Sequence, residues 1–194
     1  FSWESKVRGY FGIGAEKIHK PMNIGSLFRT AHAFGADFMF TVDSVYTRRR
    51  GRLSDTSDAI SHIPFHSFPT LTDMILPEGC VLVGIELTDD AIELPSFKHP
   101  QQAAYILGPE KGELSSEILE KCAYTVKIPT KFCINVGLAG AIIMYDRIKT
   151  LGKFPRPPIS SGGSVEPLHE HKYGSTLIRT QVEKFIDIPP RDRY

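Results

Sequence analysis

Up to about Leu151, short apolar runs alternate with stretches in which apolar residues recur every three or four positions. Tyr10–Gly14 is the first short run and predicts a strand. Ile24, Leu27, Phe28, Ala31 and Phe34 then fall on one stripe of a helix. Asn23 stands where an N-cap is expected, since its side chain can accept from a free N–H of the first turn. Gly35 stops the helix where left-handed backbone is often needed. Phe38–Val42, Cys80–Leu87 and Ala103–Leu107 are continuous apolar runs of buried-strand length. Ser115–Lys121 predicts a short helix, Tyr124–Ile128 a strand, and Val136–Thr150 a long apolar helix. Strands separated by helices predict an α/β fold with a mainly parallel sheet covered by helices on both faces.

Beyond Gly152 the pattern breaks. Prolines and a glycine pair between Phe154 and Ser164 read as a linker, and only Leu177–Ile188 carries any apolar pattern after it. Residues 1–151 are therefore expected to form one domain, and residues 152–194 a linker and C-terminal arm. The sequence opens on Phe1 rather than Met, so a trimmed or preceding stretch is expected.

Composition narrows the class. The 194 residues, 41% hydrophobic and 23% charged, suit a soluble globular domain. No apolar run approaches the roughly 20 residues of a membrane helix, and no signal peptide is evident, so a cytoplasmic location is expected. Cys80, Cys122 and Cys133 are an odd number without CxxC spacing, which fits a reducing compartment and no zinc site. The net charge of +1 does not announce a nucleic-acid binder, so a polyanion would have to meet a local patch. Arg48, Arg49, Arg50 and Arg52 form the one dense basic cluster and are the expected RNA contacts, set against the plainer reading of a solvated loop. His169 and His171 in the tail do not make a metal site, and no metal is expected.

Three segments carry candidate chemistry. Asn23-Ile-Gly-Ser-Leu-Phe-Arg29-Thr-Ala opens the first helix, where free N–H groups attract anions and Arg29, off the apolar stripe, can grip phosphate. Ile106-Leu-Gly-Pro-Glu110-Lys-Gly112 places a carboxylate at the carboxyl edge of the sheet, where open α/β folds bind ligands. Ile128-Pro-Thr-Lys-Phe-Cys133-Ile-Asn135-Val-Gly-Leu-Ala139 ends another strand in a polar loop before the long helix. Read singly, each has an ordinary explanation: a capped helix, a solvated turn, a second cap.

Taken together and in this order, the three segments resemble the signatures of the SpoU/TrmH family of SPOUT-class methyltransferases, over roughly residues 8–150. Those signatures are Asn-x-Gly-x-x-x-Arg-x-Ala, Leu-Gly-Pro-Glu-x-x-Gly, and Ile-Pro followed by Ser-Leu-Asn-Val-x-x-Ala. The resemblance implies a C-terminal deep trefoil knot, which nothing in the residue pattern itself suggests. It implies S-adenosylmethionine held by the knot loops at Leu87, Gly108, Ile128, Cys133 and Ile134. It assigns Asn23, Arg29, Glu110 and Asn135 to the active site, with Arg29 sometimes a phosphate-activated base. A guanidinium pKa above about 12 makes a base role costly, so Arg29 is read as electrostatic stabiliser and substrate clamp, with proton removal left open. The resemblance further implies a homodimer with the site completed across the interface, and methyl transfer to an RNA ribose 2′-hydroxyl. The lack of a recognisable extra RNA-binding domain tilts the expected substrate towards tRNA rather than rRNA. Two positions depart from the pattern: Cys133 stands where serine is usual, and Gly137 where serine is frequent. Cys133 keeps open a non-catalytic RNA-binding or cofactor-binding protein of the same fold. A nicotinamide enzyme starting at Gly12-Ile-Gly14 is set aside, because neither a third glycine nor an acidic ribose partner follows.

Overall fold

The computed structural model describes residues 9–44 and 61–152, with Phe154 and Gly162. Its strands are β1 Tyr10–Glu16, β2 Phe38–Val42, β3 Phe65–Phe68, β4 Val81–Ile85, β5 Ile92–Glu93, β6 Gln102–Leu107 and β7 Tyr124–Lys127. The α-helices are α1 Pro21–Phe34, α2 Ser116–Lys121 and α3 Val136–Leu151. One sheet runs in the order β3-β2-β1-β6-β4-β7-β5, and its strand pairs are all parallel. Ile13 lies opposite Met39 on β2 and Tyr105 on β6, which fixes the central register.

The expected parallel sheet is present, with its strands close to the predicted ranges. Two short strands, β3 and β5, carried no sequence signal: β3 reads Phe-His-Ser-Phe, and β5 has only two residues. Both faces are covered. On one, Leu27 and Phe28 of α1 and Ile143 and Met144 of α3 bury Ile13, Met39, Val83 and Tyr105. On the other, Ile118 of α2 and the segment from Leu71 to Leu76 cover Phe38, Phe40, Leu82 and Ile106. Gly12 and Gly14 sit inside β1, where a Cβ would strike the rings of Phe38 and Phe40. They are spacers for the neighbouring strand's aromatics and form no phosphate loop.

One expectation is corrected. Asn23 is not the N-cap of α1. The helix starts two residues earlier at Pro21, whose fixed φ suits the first helical position, and Lys20 occupies the cap without a side-chain bond. Asn23 is thereby turned inward in the first turn and buried. Gly35 ends α1 as expected, with φ 77°.

At the amino-terminal edge of the sheet, Arg147 of α3 is almost fully buried, at 1% exposure. Its guanidinium donates to the carbonyls of Tyr10, Pro100 and Gln101 and to the Tyr105 hydroxyl, and lies 5.1 Å from the Phe11 ring. His99 bridges Tyr105 at 2.6 Å and Asp146 at 3.0 Å. Burial pushes the His99 imidazole below its ordinary value, against the pull of Asp146. This polar latch ties α3 to the starts of β1 and β6.

Candidate active site

Strands that all point one way bring their ends together, and the loops after β4, β6 and β7 meet at the carboxyl edge around one cavity of about 380 Å³. Each predicted cofactor residue lines it: Leu87 after β4, Gly108 after β6, and Ile128, Cys133 and Ile134 after β7. Asn23, Glu110 and Asn135 line it too. Gly108 is there for space: a Cβ would come within 3.1 Å of the Glu86 carboxylate and 3.2 Å of the Leu114 nitrogen.

The three polar residues form a single chain of hydrogen bonds across distant parts of the sequence. Glu110 accepts from the backbone nitrogens of His19 (3.0 Å) and Lys20 (2.8 Å), at the start of α1. It also accepts from the Asn23 amide at 3.1 Å. Asn23 Oδ1 in turn accepts from Asn135 Nδ2 at 2.9 Å. Asn135 Oδ1 takes the nitrogens of Gly137 and Leu138, so here the expected N-cap is present, on α3. Asn23, Glu110 and Asn135 thus join α1, the loop after β6 and the start of α3. Partial burial pushes the Glu110 carboxyl up, but the His19 and Lys20 N–H groups and the Asn23 amide outweigh it and hold it below the usual carboxylate range. A carboxylate at a helix start also faces the positive end of the α1 dipole.

The loop after β6 is gripped by two further carboxylates that the sequence reading missed. Glu16, buried at the end of β1, accepts from Ser115 N at 2.8 Å. Glu86, just beyond β4 and itself lining the cavity, accepts from Leu114 N at 2.8 Å and from Leu87 N at 2.9 Å. A glutamate closing an apolar run looks like a solvated strand end, so only the loop it binds reveals it. Gly112, with φ +100°, makes the turn of this loop and stands one residue nearer Glu110 than the second signature pattern has its glycine.

Arg29 does not line the cavity. It lies on α1, exposed, and bonds to none of the described residues. Six residues past Asn23, it is displaced by about 9 Å along the axis and about 120° around the helix. Cys133 is exposed at the cavity and unpaired. Arg48, Arg49, Arg50 and Arg52, the histidines of the tail and all of residues 152–194 except Gly152, Phe154 and Gly162 lie outside the described residues. Among the described residues no cluster of histidine, cysteine or acidic side chains is placed to hold a metal. None of their helices is long and apolar enough to cross a membrane.

Residues 11–145 match the profile of the SpoU rRNA Methylase family. The chain is 25% identical over 139 residues to the tRNA (guanosine(18)-2′-O)-methyltransferase of Escherichia coli, covering 68% of this chain and 59% of that enzyme. It is 28% identical over 138 residues to the 23S rRNA (guanosine(2553)-2′-O)-methyltransferase RlmP of Bacillus subtilis, covering 67% and 54%. The chain thus spans little more than half the length of these curated relatives. The structure superposes on the SpoU methyltransferase AviRb of Streptomyces viridochromogenes in complex with the cofactor AdoMet, with a TM-score of 0.64 and 23% identity over 73% of this chain and 58% of that one. At that identity, the likeness speaks for the fold.

Proposed function

This chain belongs to the SpoU rRNA methylase family, and from that premise we propose that it transfers a methyl group from S-adenosylmethionine to an RNA ribose 2′-hydroxyl. The observation that carries the proposal is the bonded series Glu110–Asn23–Asn135, which closes three signature segments around one cavity at the carboxyl edge of the sheet.

The cavity suits the cofactor. Its size falls within the ~300–1,000 Å³ of small-molecule sites. Ile85, Leu107, Ile128 and Ile134 offer an apolar wall for a purine, while the strand-end backbone and the carboxylates supply polar contacts. When bound, S-adenosylmethionine supplies an electrophilic methyl group on a sulfonium. The protein's part is alignment, which alone can contribute about 7 kcal/mol or more. Glu110 and Asn135 hold the loops that shape the cavity, and Asn23 links them. Arg29 stabilises the developing ribose oxyanion and clamps the substrate phosphate.

Arg29 is exposed and does not line its own cavity, so we assign it to the site of a second copy. Leu138, Ile142 and Tyr145 form an exposed apolar stripe on α3, and Met22 is exposed at the start of neighbouring α1. A homodimer docked on this stripe sets one copy's α1 beside the other's cavity.

The knot belongs to the same reading. β5 follows β4 in sequence, yet β7 lies between them in the sheet. That order supports a C-terminal segment passed through the loop 86–101, and Arg147 of α3 binds the carbonyls of Pro100 and Gln101 where the loop closes. Three unpaired cysteines support a reducing, cytoplasmic setting.

Relatives act on tRNA in one case and rRNA in the other, as their names state. We favour tRNA. The test is transfer from labelled S-adenosylmethionine to separate pools of unmodified tRNA and rRNA. Label confined to tRNA supports the proposal, label confined to rRNA corrects the substrate, and no label in either RNA contradicts the activity. That last outcome, with cofactor still bound, is what a non-catalytic binding protein would give.

A further inference from the structure

We propose that Glu86 is the acceptor for the vicinal hydroxyls of the cofactor's ribose and thereby sets the cavity's specificity for a ribonucleoside. The inference rests on the S-adenosylmethionine reading given above.

Glu86 is the first residue past β4, a strand flanked by β6 and β7, whose own ends at Gly108 and Ile128 line the same cavity. Its orientation is fixed from both sides. One carboxylate oxygen takes Leu87 N at 2.9 Å and the other takes Leu114 N at 2.8 Å. Each bond uses one acceptor position, and an ionised carboxylate has about four. The remaining positions want donors. Lys127 shares the cavity wall but spends its ammonium on the carbonyls of Thr88 (3.0 Å) and Asp89 (3.1 Å). Among the described residues Glu86 has no ion pair. Gly108 leaves the carboxylate uncovered on its side, since a Cβ there would come within 3.1 Å of the Glu86 oxygen that takes Leu114 N.

The chemistry selects the partner. A nucleoside offers one vicinal pair of hydroxyl donors, and a carboxylate with two oxygens accepts from such a pair. Apolar Ile85 and Leu107 beside Glu86 suit the flanking purine. An acidic residue at a strand end is also how open parallel sheets of other folds recognise ribose.

The experiment is calorimetric titration of the full chain with S-adenosylhomocysteine and with its 2′-deoxy and 3′-deoxy analogues, repeated on Glu86→Gln and Glu86→Asp. Wild type is expected to lose roughly 10- to 100-fold in affinity for at least one deoxy analogue, the range for a hydrogen bond to a charged group. Glu86→Gln is expected to bind the parent compound more weakly and to discriminate the analogues at least several-fold less. A merely structural Glu86 would lower all affinities alike, leaving the discrimination intact, and that outcome overturns the proposal. Should Glu86→Gln fail to fold, Glu86→Asp decides. It keeps the charge but withdraws it by one methylene, so undiminished discrimination there also overturns the proposal. Wild type that binds S-adenosylhomocysteine without discriminating the analogues defeats the Glu86 role alone. Wild type that binds none of the three defeats the cofactor reading, and the Glu86 role with it.

Discussion

At the scale of single residues, the signature positions divide into two kinds of work. Asn23, Glu110 and Asn135 bond to each other and to backbone, so they build the site. Arg29 is exposed, and its side chain bonds to none of the described residues, which suits the substrate role proposed for it. Arg29→Ala is therefore expected to lower transfer by about 100-fold or more while leaving cofactor affinity within about threefold, the pattern for a group that stabilises only the developing charge. Parallel titration of cofactor and assay of transfer check this; a large loss of cofactor affinity would place Arg29 among the cavity-building residues instead. The sequence revealed which side chains are polar at strand and helix ends, but not what they hold. Asn23 looked like a cap because it precedes the apolar stripe, whereas Pro21 starts the helix and frees Asn23 to bridge two loops. Glu16 and Glu86 were invisible because their partners, Ser115 and Leu114, lie 99 and 28 residues away.

At the scale of elements, α1 begins on a carboxylate supplied by another strand's loop. Glu110 accepts the His19 and Lys20 N–H groups just before the helix, the work an N-cap side chain usually does locally. Glu110→Ala is expected to destabilise the fold by about 1–2 kcal/mol, as loss of a cap does. The contribution depends on pH with a definite sign. The folded carboxyl lies below its ordinary value of 4.5, so the extra stability is fully present above that pH and is lost as pH falls through the folded value. Denaturant midpoints of wild type and Glu110→Gln are accordingly expected to draw together below pH 4.5. A gap that stays constant into acid would show that ionisation of Glu110 has no part in holding α1. The strong strands were legible here because they are buried on both faces and read as unbroken apolar runs. β3 and β5 were not, since edge strands this short owe their pairing to the neighbour that recruits them.

At the scale of the whole molecule, sequence pattern foretold a parallel sheet with two covered faces, yet not the order of its strands. That order places β7 between β4 and β5, and no local signal encodes it. Arg147 shows the same gap: within an apolar helix it reads as a basic residue near the end, but the fold buries it on three backbone carbonyls. The exposed stripe on α3 leads to an assembly prediction. Ile142→Glu is expected to convert the proposed dimer to monomer in sedimentation, and to abolish transfer with cofactor binding retained. A monomer that still methylates at the wild-type rate would remove the second copy's Arg29 from the account.

The proposed reaction places the methyl group on a ribose oxygen rather than on a base. Digestion of RNA labelled by the wild-type chain to single nucleosides, followed by chromatographic identification of the labelled species, tests it most directly. Label in a 2′-O-methylated nucleoside is the expected result. Label in a base-methylated nucleoside would contradict it.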